Sequence, residues 1–182
     1  MRRAIFLDRD GILDNSIVRN GKPYPPSSVS EIELPHGITD ALLQLKNLDF
    51  LLIAVTNQPD VARGTTSMEK VAAINNYLSS KLPLDDILVC FHDDVDGCLC
   101  RKPNPGLILD AAVKYDINVT TSYMIGDRWK DVEAGRKAGC TTLWVDYGYA
   151  EFFKSESPSY TCKSPAEAMT LIIKKELRNE KY

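Results

Sequence analysis

The sequence predicts an α/β fold with a parallel, doubly wound sheet and helices on both of its faces. Three observations carry that prediction. Strand-length apolar runs recur along the 182 residues, helical patterns separate successive runs, and polar groups stand directly after four of them. Alternation of this kind belongs to βαβ units, whose parallel strands need a crossover helix. A hydrophobic content of 44%, a charged content of 26% and a net charge of -3 suit a soluble globular chain and argue against a nucleic-acid partner. No apolar stretch approaches the roughly 20 residues of a membrane span. Met1-Arg2-Arg3 precedes only a strand-length apolar segment, so no leader is expected and the expected compartment is the cytoplasm.

The elements follow in order. Ala4-Ile5-Phe6-Leu7, apolar and bounded by charge, reads as a buried first strand. Asn15 to Glu33 is polar, contains Pro23, Pro25 and Pro26, and has no period, so it reads as a long loop or flap. Ile38, Leu42, Leu45 and Leu48 share one face of a helix from about Gly37 to Leu48. Phe50 to Val55 is a second strand, ending in Thr56-Asn57. Val71, Ile74 and Leu78 stripe a helix over about Ser67 to Lys81, and Ile87 to Cys90 is a third strand. A helix over Asn104 to Tyr115 is entered through two prolines. Ser122 to Gly126 is a fourth strand, Trp129 to Ala138 a helix that Gly139 ends, and Thr141 to Val145 a fifth strand. Ser164-Pro165-Ala166-Glu167 has capping-box spacing with proline at the first helical position, so a last helix starts there. Lys174 to Tyr182 reads as a solvated, frayed end. With no internal repeat, residues 1–182 read as one domain.

Open α/β sheets bind ligands at the carboxyl ends of their strands. Asp8 and Asp10 leave the first strand there, immediately before Gly11. In extended chain, residues two apart face the same way. Such paired acids suit metal binding combined with acid–base or nucleophilic work. Thr56 and Asn57 follow the second strand, Lys102 lies in the loop after the third, and Asp127 follows the fourth, with Asp131 one helical turn beyond it. Each has an ordinary structural alternative: Asp10-Gly11 or Thr56-Asn57 as a turn, Lys102 as a solvated side chain, Asp127 as a helix N-cap. Their coincidence at successive strand ends is what points to chemistry.

A second constellation stands beside the first. Cys90-Phe91-His92 and Cys98-Leu99-Cys100 hold four of the chain's seven cysteine and histidine residues, just before Arg101-Lys102-Pro103. In a reducing compartment cysteines are not expected to pair. Three thiolates and an imidazole are the donor set of a closed tetrahedral zinc site. That zinc is expected to be structural and to fix the loop carrying Arg101 and Lys102. Cys140, Cys162 and His36 read as packing or loop residues.

The ordered set D-x-D-G, T-N, lysine and G-D-x-x-x-D resembles the haloacid dehalogenase (HAD) superfamily of phosphatases, from Asp8 to about Asp146. The resemblance implies a Rossmann-like fold with Asp8 as nucleophile and Asp10 as general acid/base. It implies that Thr56 and Lys102 hold the phosphoryl oxygens, with Asn57 beside them. It also implies Mg²⁺ bound by Asp8, the backbone carbonyl of Asp10 and Asp127, with Asp131 in support. With the zinc loop, T-N-Q and R-K-P-x-P-G added, the pattern is similar to a histidinol-phosphatase/heptose-bisphosphate-phosphatase branch. That branch lacks a large cap domain, which leaves the 15–33 flap and the 90–100 zinc loop to shape the pocket. The implied partner is a small sugar phosphate: a heptose bisphosphate that loses its 7-phosphate, at the primary carbon, or alternatively histidinol phosphate. Arg101 and Arg63 suit a second phosphate, whereas Asp93, Asp94 and Asp96 would suit an imidazole and an ammonium. Two other readings leave more unexplained. A phosphorylation-dependent receiver domain has no use for Asp10 or the zinc cluster, and a binding protein on a dead scaffold would not keep every catalytic position filled. The chain is expected to act as a monomer.

Overall fold

Side chains of the first strand alternate between two hydrophobic cores, one on each face of the sheet. Ile5 and Leu7 enter one core with Leu42, Leu45, Met169 and Ile172, while Ala4 and Phe6 enter the other with Leu107, Ile108 and Ala134. A strand buried on both faces needs a helical layer on each side, and parallel crossovers supply them. The computed structural model describes residues 1–149, 154 and 156–179. β1 (Arg3–Leu7) leads into a hairpin of β2 (Ile17–Arg19) and β3 (Lys22–Tyr24). Then come α1 (Ile38–Asn47), β4 (Phe50–Asn57), α2 (Met68–Lys81), β5 (Asp86–Cys90), α3 (Gly106–Tyr115) and β6 (Tyr123–Gly126). α4 (Trp129–Ala138), β7 (Thr141–Val145), β8 (Tyr160–Cys162) and α5 (Pro165–Asn179) complete the described elements. Six strands pair in parallel in the order β5-β4-β1-β6-β7-β8. The chain winds outward from β1 in one direction and then, from β6, in the other. The carboxyl ends of β1 and β6 therefore bound the switch point where such sheets open a crevice.

Three features differ from the sequence expectations. The 15–33 flap is not wholly irregular: it carries the β2–β3 hairpin, and Asn20 (φ 51°) and Gly21 (φ 72°) form a two-residue turn of type I′. Three-residue arms, one of them interrupted by Pro23, are too short to show alternation. The edge strand β8 was not foreseen for the same reason. Third, the end of the chain is anchored rather than frayed. α5 runs to Asn179, and its buried Glu176 accepts hydrogen bonds from the Tyr123 hydroxyl (2.5 Å) and from Arg3. Residues 180–182 of that expected tail lie outside the described residues. Among the described residues no helix is long and apolar enough to cross a membrane, and no inserted segment is large enough to form a cap.

The last helix thus holds the sheet through its apolar face, with Ala168, Met169 and Ile172 in the core, and through the buried carboxylate of Glu176. Glu176→Ala would leave the Tyr123 hydroxyl and the Arg3 guanidinium without their acceptor, at a cost of about 1–3 kcal/mol. Chemical denaturation should show this loss, and the Tm should fall by several degrees.

Candidate active site

Asp8 ends β1 in extended chain, its N–H donating to Ile125 O at 2.9 Å. The next residues turn sharply. Gly11 has φ +89°, and a Cβ there would stand 2.2 Å from Asp127 Oδ2, so glycine alone lets β6 bring Asp127 against this turn. Gly126 makes the matching space for Asp131, whose Cβ would lie 2.1 Å from an added methyl. Asp131 in turn opens α4 by accepting from the Arg128 N–H at 3.0 Å. Three carboxylates converge as a result: one oxygen each of Asp8, Asp127 and Asp131 lie within 4.8 Å of one another.

Lys102 reaches this cluster from the loop after β5. Its buried ammonium meets Asp8 Oδ1 at 2.7 Å, Asp131 Oδ1 at 2.6 Å and Val55 O at 2.8 Å. Burial works against that charge, but Asp131 and Asp8 outweigh it and raise the lysine's pKa. Burial, reinforced by Asp131 and Asp10 against the pull of Lys102, pushes Asp8 up to about 7. Asp127 is held well above the usual carboxylate range by burial and by its two acidic neighbours. Both of its oxygens are buried without a hydrogen bond, and the neighbouring Tyr149 hydroxyl pulls its pKa back only in part. Orphaned carboxylate oxygens beside two further carboxylates are the donor set of a hard divalent cation.

The remaining expected residues take more varied places. Asp10 turns its carboxylate away from the cluster, to Arg9 (Nε 3.1 Å, Nη2 2.8 Å) and Gln58 Nε2 (2.8 Å). The acids that meet are therefore Asp8, Asp127 and Asp131, and Asp131 stands inside the group rather than behind it. Thr56 is fully buried behind the cavity wall, its hydroxyl accepting from Gln58 at 2.9 Å. The side chain of Asn57 clamps the backbone of Lys102, donating to its carbonyl at 2.9 Å and accepting from its N–H at 3.1 Å. A cavity of about 380 Å³ opens over Asp8, Asp10 and Asp127, walled by the hairpin, Arg63 and Arg101. Both arginines are already engaged. Arg63 grips Asp93 with two nitrogens (2.7 and 2.6 Å) and holds its carboxyl down at about 2, while Arg101 Nε donates to Asp94 at 2.7 Å.

The cysteine cluster assembles as its spacing suggests. Cys90, Cys98 and Cys100 sulfurs lie 3.2–3.7 Å apart, and His92 Nδ1 is 3.6 Å from Cys90 and 3.3 Å from Cys100. The edge of a tetrahedron built on Zn–S bonds of about 2.3 Å is about 3.8 Å, so the four donors are gathered slightly inside that size. Burial and the two neighbouring thiols push Cys100 up to about 12, so a cation is what would let all three ionise.

A HAD-hydrolase-like family profile matches residues 99–168. The D-glycero-beta-D-manno-heptose-1,7-bisphosphate 7-phosphatase of Helicobacter pylori is 37% identical over 142 residues, 75% of this chain and 79% of that one. Its Pasteurella multocida counterpart is 35% identical over 149 residues, covering 76% and 78%. The chain belongs to this family of HAD-type phosphatases. As a member it is a phosphoric monoester hydrolase. A solved relative, the D,D-heptose 1,7-bisphosphate phosphatase of B. bronchiseptica complexed with magnesium and phosphate, superposes with a TM-score of 0.79 at 26% identity, over 95% of this chain and 99% of that one.

Within this phosphatase, sequence reasoning passed over two residues. Arg9 looked like a spacer between the aspartates, yet it is completely buried and ties Asp10 to Asn75 Oδ1 (3.1 Å) on α2. Gln58 links Asp10 to Thr56. The only signal for either was its place inside a motif.

The cysteine cluster generates a prediction of its own. Protein prepared without chelator should carry one zinc per chain by elemental analysis. Cys98→Ser should lower both that content and the Tm, because structural zinc binding contributes directly to folding free energy.

Proposed function

We propose that the chain works as one phosphatase domain, residues 1–182, that hydrolyses D-glycero-β-D-manno-heptose 1,7-bisphosphate at its 7-phosphate through an aspartyl-phosphate. The observation that carries this reading is the pinned nucleophile. Asp8 Oδ1 is taken up by Lys102 and by the Arg9 N–H (2.8 Å), which leaves Oδ2 as the oxygen for attack. In the first step Oδ2 bonds to phosphorus while the bond from phosphorus to the sugar oxygen breaks, and Asp10 gives its proton to the departing alkoxide. A water then attacks the phosphorus and yields its proton to Asp10, and inorganic phosphate leaves as Asp8 is regenerated. Lys102 balances charge on the transferring group. Thr56, buried behind the cavity wall, braces Gln58 against Asp10, and its proton would reach a phosphoryl oxygen only when substrate is seated against that wall; Asn57 holds Lys102 in register. Asp8, Asp127 and the backbone carbonyl of Asp10 would hold Mg²⁺, with Asp131 beside them, and the cation would neutralise the anionic oxygens as an in-line transfer requires. Zinc on Cys90, His92, Cys98 and Cys100 would be structural.

The substrate reading is supported by the relatives and by the zinc-loop aspartates. Histidinol phosphate would need Asp93 and Asp94 free for its cationic groups, and Arg63 and Arg101 occupy both. Arg101, on the cavity wall, is read as a contact to the second phosphate, with Arg63 further out. The protein is read as a cytoplasmic monomer, with three of its cysteines gathered as a metal donor set rather than placed for disulfides.

Asp8→Asn keeps the shape but removes the nucleophile, so turnover with Mg²⁺ should fall at least about 10³-fold. Asp10→Asn should still bind substrate while turning over slowly; rapid turnover in either variant would exclude this chemistry. Arg101→Ala should raise KM for the bisphosphate more than KM for p-nitrophenyl phosphate, as paired steady-state measurements would show.

A further inference from the structure

The hairpin presents positive charge that the protein itself leaves unanswered. Its register sets Arg19 directly opposite Lys22 across the turn, so the two cations share one face of a two-stranded ribbon. Like charges at directly opposed positions destabilise a strand pair. The type I′ turn allows little escape, because Asn20 and Gly21 fix the spacing of the arms. Tyr24 lies two residues along the same face, with the Arg19 guanidinium 5.9 Å from its ring centre. Lys22, Pro23 and Tyr24 all line the cavity above Asp8, so this arm of the hairpin borders the site and brings the Lys22 side chain to its wall.

The other cations of that cavity are spoken for. Lys102 serves Asp8 and Asp131, Arg63 serves Asp93 and Asp60, and Arg101 serves Asp94. Lys130 stands 3.5 Å from Asp94, and Arg128 is partnered as well. Among the described residues Lys22 makes no ion pair. Arg19 makes none either: Glu31 is near enough to feel its charge, but its carboxylate is taken up by Ser27. An anion entering the cavity therefore meets arginines already neutralised by carboxylates and one lysine that brings a whole charge.

We propose that Lys22, with Arg19 behind it, adds to Arg101 a further specificity-determining contact for the anionic group that the substrate carries remote from the reacting phosphate. The assignment rests on the sugar-bisphosphate reading above and deepens it. A second phosphate seated on the hairpin face removes the cross-strand repulsion as it binds, which couples recognition of the distal group to settling of the ribbon over the site. A monophosphate lacks that group and gains nothing from the hairpin charge.

The test compares heptose 1,7-bisphosphate with heptose 7-phosphate, which differ only in the distal group. The ratio of their kcat/KM values reports its recognition. Lys22→Gln should lower that ratio about tenfold, the loss expected for one charge-assisted contact. Arg19→Gln should lower it less, and Lys22→Arg should restore most of it. An unchanged ratio in Lys22→Gln and in the Arg19→Gln/Lys22→Gln double variant, with the unmodified enzyme still preferring the bisphosphate, would overturn the proposal alone. A ratio near one in the unmodified enzyme would overturn the bisphosphate reading, and this assignment with it.

Discussion

The buried ammonium of Lys102 is the charge around which the site is organised. Three carboxylates, Asp8, Asp127 and Asp131, are brought to one point by the ends of β1 and β6 and by the start of α4, and Lys102 answers only part of their charge. The deficit of two charges is what a divalent cation would fill. The crowding of these acids shows as raised carboxyl pKa values and as two Asp127 oxygens without a hydrogen-bond partner. Buried ion clusters of this kind are poor sources of net stability, because desolvation offsets most of their attraction. The two apolar cores on either side of the sheet provide the stability against which this strain is held.

Placing Lys102 is a problem of long-range geometry, solved by two devices. Asn57 fastens the lysine's backbone to the end of β4 with a pair of hydrogen bonds, and the cysteine cluster gathers the loop immediately before it. Cys90 belongs to β5, while Cys98 and Cys100 lie just upstream of Arg101 and Lys102, so one small cluster ties the sheet edge to the catalytic loop. The acidic link inside that loop then engages Arg63 and Arg101, which joins the zinc loop to the wall of the cavity. A metal held by that cluster, remote from the reacting atoms, would in this way bear on how substrate is read.

On the opposite side of the nucleophile a second ion group does quieter work. Arg9, wholly buried, holds Asp10 with two nitrogens and leans on Asn75 of α2, and Gln58 closes the arrangement from β4. Asp14 lies close by with both oxygens unpartnered, pushed up to about 8 by burial and by Asp10, so it is largely uncharged at neutral pH. Asp8 and Asp10, two residues apart in sequence, meet different cations, Lys102 for Asp8 and Arg9 for Asp10, although Asp10 still raises the pKa of Asp8. The proposed division of labour, with Asp8 as nucleophile and Asp10 as proton carrier, would draw on that difference in partners.

Much of this was legible in the chain. Long apolar runs such as Phe50 to Val55 name their strands, because a central parallel strand is buried on both faces and admits no polar residue. The spacing of Cys90, His92, Cys98 and Cys100 names its donor set, because a tetrahedral site fixes ligand number and type. Asp8, Lys102 and Asp127 could be picked out because function places reactive groups at strand ends. The sequence could not show what its shortest or most solitary features would touch. β2, β3 and β8 are three residues each, below the length at which a period appears, and Glu176 looked like one more charge in a polar tail. Arg9, Gln58 and Lys22 have no local pattern at all. Their roles depend on which side chains the completed sheet and hairpin bring within a few ångströms, and such pairings between residues far apart in the chain exist only once the tertiary structure has formed.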